Sequence, residues 1–122
     1  MSAPDSSEID KIEWRLKSCS KRLHDLAPHV GGAKQVREFN TDRRKNLLAR
    51  FTIKALKGGG SYAAAETEGR ADPIYGVELE KLAEQYEDAE KTIATWDAEH
   101  ASFEACRSLL SMAKENLKVM PE

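Results

Sequence analysis

The spacing of apolar residues in two stretches of the chain constrains the fold more than any other feature. Steps of three and four residues alternate in both stretches, which places the apolar side chains along one side of a helix and forms a coiled-coil seam. The first seam is Ile9, Ile12, Leu16, Cys19, Leu23, Leu26 and Val30, and the second is Leu79, Leu82, Tyr86, Ala89, Ile93 and Trp96. The second seam continues through His100 and Phe103 and then changes phase to Cys106, Leu110, Ala113 and Leu117. The pattern predicts an all-α fold in which two long helices form an antiparallel hairpin.

Glycine, serine and proline residues predict how the two arms are joined. Gly58-Gly59-Gly60 is costly to hold in a helix and provides a turn. Ser61 can cap a short helix after it, and Asp72-Pro73 suits the first turn of the next helix. We predict one domain over residues 1–122, with a first arm at 1–57, a turn and short helix at 58–72, and a long helix at 73–119.

The first arm contains a second set of helix-breaking residues. Pro28 removes a backbone donor and crowds the preceding turn, and Gly31-Gly32 follows it. These residues predict a kink or break near residues 27–32. Asn40-Thr41-Asp42 then offers a cap for a helix that continues over Arg43–Lys57.

Composition agrees with long solvated helices, because 33% of the residues are charged and only 7% are aromatic. No apolar run approaches the length of about 20 residues that spans a bilayer, and the first eight residues lack the basic and apolar parts of a signal peptide. We therefore expect a cytoplasmic protein. Since two helices leave part of each apolar stripe in water, we also expect two hairpins to form a dimeric four-helix bundle.

Charge divides strongly between the two arms. Residues 1–57 carry 13 Lys and Arg against 7 Asp and Glu, whereas residues 58–122 carry 6 against 14. Part of the positive charge is concentrated in a short segment that predicts a binding surface for phosphates or for an acidic partner. Four of its cations fall within about 60° of one another at 100° per residue, on the face opposite Leu48 and Phe51. The segment contributes Arg43, Arg44, Lys45, Arg50, Lys54 and Lys57. The alternative is that these cations are solvated or face acidic residues of the long helix.

Residues that could carry catalysis or bind a metal do not form a recognisable pattern. Neither His24 nor His29 has another histidine or a cysteine at metal-ligand spacing. His100 falls on the second seam, where a polar residue commonly sets helix register. The two cysteines, Cys19 and Cys106, are distant in the sequence and are expected to be buried, reduced thiols. We predict a protein without catalytic activity, metal or cofactor.

The order of residues from Lys45 to Lys114 resembles that of short, uncharacterised helical-hairpin proteins encoded by bacteriophages, often beside recombination or replication genes. The matching positions lie in both arms and at the elbow between them. They are Arg44-Lys45, Leu48-Ala49, Gly60-Ser61, Ala65-Glu66, Tyr86, Ala89, Trp96, Arg107-Ser108-Leu109-Leu110-Ser111 and Lys114. The resemblance covers little more than half the chain and implies a phage accessory protein that acts in the host cytoplasm.

The functional hypothesis at this point is a non-enzymatic interaction protein, dimeric, that engages a protein or nucleic-acid partner through the first arm. One alternative is a DNA-binding protein of phage recombination or replication that acts through the basic helix. Another is an inhibitor of a host or defence protein, in which the acidic long helix imitates nucleic-acid charge. Small secreted hairpins with a Trp-x-Gly turn are similar in length, but here Trp14 and Trp96 fall within helices and the glycine turn has no tryptophan.

Overall fold

The computed structural model describes residues 6–118, which form three α-helices. They are α1 (Ser6–Leu56), α2 (Tyr62–Ala71) and α3 (Pro73–Lys118). No strand occurs among these residues, so the predicted all-α fold is confirmed. Within the described part of the chain, no helix is both long and apolar enough to cross a membrane. The predicted end of the long helix at Val119 lies outside the described residues.

The contacts divide the chain into two compact units. In the first, α1 up to Val30 packs against α3 from Thr92 onward. The pairing is antiparallel, because Glu13 forms an ion pair with Lys114 near one end and Arg22 pairs with Glu99 further along. The predicted seam residues supply its core: Ile9, Cys19, Val30, Ile93, Cys106 and Ala113 are buried.

The second unit, Gly31–Lys91, contains the joined ends of both long helices together with α2. Arg37 of α1 reaches Glu90 of α3, while Phe51 packs edge-on against Tyr75 with ring centroids 5.5 Å apart. This order of contacts is that of an antiparallel hairpin, as the sequence predicted. Its buried residues are Ala33, Leu47, Phe51, Thr52, Ala65, Gly69 and Ala89.

The sequence predicted a kink or break near residues 27–32. A break is wrong, since α1 continues through Pro28 and both following glycines, and the kink stays a prediction. Pro28 and the two glycines are exposed, and a Cβ atom added at either glycine would meet nothing within 4 Å. Val30 and Ala33 are buried, so packing holds the helix on either side of these exposed residues. Burial of an apolar face stabilises helices in proteins more than local propensity does, and here it offsets a proline cost of about 3 kcal/mol. For the same reason, no new helix starts at Asn40.

The joint between the long helices follows the predicted turn and caps. Gly59 and Gly60 have φ values of +90° and +99°, a conformation that glycine adopts without strain. The Ser61 hydroxyl accepts a hydrogen bond from the Ala64 amide at 3.2 Å. Asp72 Oδ1 accepts one from the Ile74 amide at 2.9 Å. These side chains satisfy amides that the first turns of α2 and α3 leave unpaired.

The short helix α2 lies close against α1 because it presents small residues there. A Cβ atom added at Gly69 would stand 3.1 Å from the Phe51 carbonyl carbon and 3.2 Å from the Thr52 nitrogen. Both are backbone atoms of α1, which cannot move without disturbing that helix. Thr52 itself is 1% exposed, and its hydroxyl donates to the Leu48 carbonyl oxygen at 2.8 Å.

We expect Gly69→Ala to destabilise the protein by about 1–3 kcal/mol, since the added methyl group overpacks a backbone contact. Gly76→Ala is the matched control, because Gly76 is also helical but its added Cβ would meet nothing within 4 Å. That control should be stabilising by roughly 0.5–1 kcal/mol through higher helix propensity. Urea unfolding followed by circular dichroism measures both, and equal effects would contradict close packing of α2 on α1.

Candidate partner-binding surface

The six cations predicted as a binding surface, Arg43, Arg44, Lys45, Arg50, Lys54 and Lys57, all lie in the second unit and are all exposed. We call them the basic surface. Five stand on α1, and Lys57 follows its last residue. Arg43 and Lys57 are fourteen residues apart, so the basic surface extends roughly 20 Å along the helix axis at 1.5 Å per residue.

The position of the basic surface differs from our prediction. Arg43 and Arg50 line a groove of about 230 Å³ together with Leu47, Glu78 and Leu82. These arginines therefore border the packed side of α1 and do not lie opposite it. The difference arises from Leu47, which is 5% exposed. This leucine extends the buried face to within about 40° of Arg43 at the helical advance of 100° per residue.

Lys54 is the member of the basic surface that contacts an acidic residue. Its Nζ lies 3.7 Å from Asp72 Oδ2 and 5.8 Å from the centre of the Phe51 ring. None of the other five cations forms an ion pair within residues 6–118. The long helix therefore neutralises little of this charge, which leaves the cations available to an external anion.

Arg37 lies about one and a half turns before the basic surface on α1 and forms an ion pair with α3. Its Nε and Nη2 donate to the two carboxylate oxygens of Glu90 at 2.6 and 2.8 Å, a bidentate arrangement. These hydrogen bonds, with the positive charge of Arg37 and a hydrogen bond from Tyr86, lower the pKa of Glu90 below its ordinary value. Arg37 therefore ties α1 to α3, while the cations that follow it do not.

Polar residues that could perform chemistry are dispersed. His24, His29 and His100 are exposed. The polar residue of the seam is Glu99 and not His100. Glu99 Oε1 accepts a hydrogen bond from Arg22 Nε at 2.8 Å. Glu99 Oε2 is buried without a hydrogen-bond partner among the described residues. No group of three or more histidine, cysteine or acidic residues in the described part of the chain could hold a metal ion.

The two cysteines are an arrangement that sequence analysis missed. Cys19 and Cys106 line one groove of about 350 Å³ in the first unit, with Trp14, Arg22 and Leu109 among their neighbours. Both thiols are free and buried. Each cysteine occupies a predicted seam position, which is the signal for burial, but the seam spacing alone does not indicate that the two share one groove.

Comparison of the chain with protein-family models, curated proteins and solved structures returned no match. The resemblance to phage-encoded hairpin proteins gains no support from these comparisons and stays a hypothesis.

The ion pair between Arg37 and Glu90 predicts a pH dependence of stability. A carboxylate whose pKa is lowered by folding contributes stability above its unfolded pKa, and this contribution is lost as pH falls through the folded value. We expect the native chain to be more stable than Glu90→Gln at neutral pH, and the difference to disappear in acid.

Urea unfolding at a series of pH values measures this difference. The control is Glu84→Gln, which changes an exposed glutamate of the same helix that forms no ion pair with a described residue. Its effect should change little with pH. A Glu90→Gln difference that persists in acid would show that lost packing, and not lost charge, is responsible.

Proposed function

We propose that the protein is a non-enzymatic interaction module that binds an anionic partner through the basic surface on α1. We further propose that it acts as a homodimeric accessory factor of the phage type in the bacterial cytoplasm. The observation that carries the proposal is that five of the six cations make no ion pair within the described residues. Cations that served only to attach α1 to α3 would be paired, as Arg37 is.

Nucleic acid is the anionic partner that the geometry of the basic surface favours. Duplex DNA carries one negative charge per about 1.7 Å of its axis, so a surface roughly 20 Å long meets several phosphates at once. The aromatic side chain within the span of the basic surface, Phe51, is buried against Tyr75 and Lys54 and offers no platform for base stacking. Binding would then follow the phosphate backbone, with strong salt dependence and little sequence preference.

The decisive experiment is a titration of fluorescent duplex DNA at several salt concentrations. We expect replacement of Arg43, Arg44 and Arg50 by Glu to abolish measurable binding. Replacement by Gln should reduce the slope of log affinity against log salt by about 3, since each lost phosphate contact removes roughly one released counterion. The native helical content should remain, because all three residues are exposed.

The matched control replaces Lys17, Lys21 and Lys34 by Glu. These lysines are exposed residues of α1 outside the basic surface, and the change in net charge is the same. Equal loss of binding in both variants would mean that overall charge, and not this surface, attracts DNA. If the native chain binds no DNA at low salt, the nucleic-acid hypothesis fails. Capture of an acidic protein by the native chain, but not by the Glu variant of Arg43, Arg44 and Arg50, would then support a protein partner.

The dimer is supported by apolar residues of the first unit that remain in water. Trp14 is 70% exposed and Met112 is 63% exposed, and Leu109 lies with Trp14 on the groove that holds the cysteines. Large apolar side chains that share one region of a surface are typical of a protein interface. A second copy of the chain would remove them from water.

We expect Trp14→Glu to convert the dimer to a monomer, because a carboxylate would have to be desolvated in the interface. Light scattering over a range of protein concentrations measures the mass. Ile53→Glu is the control, since Ile53 is also exposed on α1 but belongs to the second unit, and it should leave the dimer intact. A native chain that is monomeric at all concentrations would refute the dimer.

A further inference from the structure

The two buried cysteines are unexplained by the proposed function. Cys19 of α1 is 3% exposed and Cys106 of α3 is 8% exposed, and both line the same groove in the first unit. They are the two cysteines of the chain. Buried thiols on facing helices are chemically different from two isolated thiols, because one can react with the other.

The antiparallel pairing brings these residues to the same segment of the helix pair. The ion pair of Glu13 with Lys114 lies on one side of Cys19 along α1, and that of Arg22 with Glu99 lies on the other. On α3, Cys106 lies between Glu99 and Lys114, the partners in the same two ion pairs. Both cysteines therefore occupy seam positions between the same two cross-helix contacts.

Helix geometry makes a bond between the two positions feasible. Packed helix axes lie about 8–10 Å apart, and Cα atoms lie about 2.3 Å from each axis. Cα atoms that face each other directly are then separated by roughly 3.4–5.4 Å, which overlaps the range of about 4.4–6.8 Å found in disulfides. The cysteine side chains are small, so no large group has to leave the space between the helices.

Arg22 distinguishes the two sulfur atoms. Its Nη2 donates a hydrogen bond to Cys19 Sγ at 3.4 Å, while its Nε is held by Glu99 at 2.8 Å. The guanidinium is thus fixed beside the sulfur and would stabilise negative charge that develops there. The groove that both cysteines line opens to solvent, which gives a small reagent a route to the sulfur.

We propose that Cys19 and Cys106 are a modification site at which a reversible intramolecular disulfide forms by exchange with a low-molecular-weight disulfide. Cys19, as the thiolate, attacks one sulfur of the reagent, and the other half of the reagent leaves as a thiolate. Cys106 then attacks Cys19 Sγ, forms the protein disulfide and expels the second half. The protein loses two hydrogen atoms, and the reagent gains them as it is reduced to two thiols.

The proposal is tested on the full chain with oxidised and reduced glutathione in known ratios, at low protein concentration so that self-association does not cover the groove. After alkylation of free thiols, mass spectrometry should find a species lighter by two hydrogens and without alkyl groups. Proteolytic fragments should contain Cys19 joined to Cys106. Cys19→Ser and Cys106→Ser should each stop at a single glutathione adduct.

The quantitative readout is the equilibrium constant for closing the disulfide in native buffer and in strong denaturant. We expect a native value larger on the order of a thousandfold, because folding holds the two thiols at one groove whereas the unfolded chain must close a long loop. Equal values in the two conditions would overturn the proposal. Free thiols at equilibrium with excess oxidised glutathione, or stable adducts on both cysteines, would overturn it as well.

Discussion

The pairing and the length of the two long helices depend on the apolar seam between α1 and α3. The seam residues that are most buried, including Ile9, Cys19, Ile93 and Cys106, are modest in size, and the largest aromatic residue of α1, Trp14, stays in water. Burial along a narrow stripe stabilises long helices that would be marginal in isolation. This burial also explains why α1 tolerates Pro28. Packing on both sides of the proline stabilises the helix enough to offset one missing hydrogen bond.

Sequence reasoning predicted the elements that depend on local chemistry. The glycine turn, the Ser61 cap and the start of α3 at Pro73 all follow from backbone conformation or from unpaired amides near the residue concerned. It failed at Pro28, where a local rule competes with packing contributed by residues far away in the sequence. The length of α1 could not be predicted from propensity alone, since the deciding contacts are made with α3.

The basic surface shows the same division between local and distant information. Which residues are cations and which face they share can be counted from the sequence, and their exposure agrees with that count. Which of these cations form ion pairs cannot be derived from the sequence. Arg37 finds Glu90 and Lys54 finds Asp72, whereas their neighbours Arg43 and Arg50 lie near Glu78 in a groove without forming an ion pair to it. A difference of a few residues thus separates cations that connect the helices from cations that form no ion pair within the described residues.

The polar layer at Glu99 explains why the helices keep one register. Two apolar seams with regular spacing can slide past each other by a heptad at little cost, because similar side chains then meet. Arg22 and Glu99 oppose such a slide, since it would break the ion pair of a carboxylate, one of whose oxygens is already buried without a partner among the described residues. We predicted this role for His100, but the seam advances by three residues from Trp96 and so reaches Glu99 instead. The register that pairs Arg22 with Glu99 also brings Cys19 and Cys106 to one groove, so the alignment of the helices and the positions of the two thiols are set together.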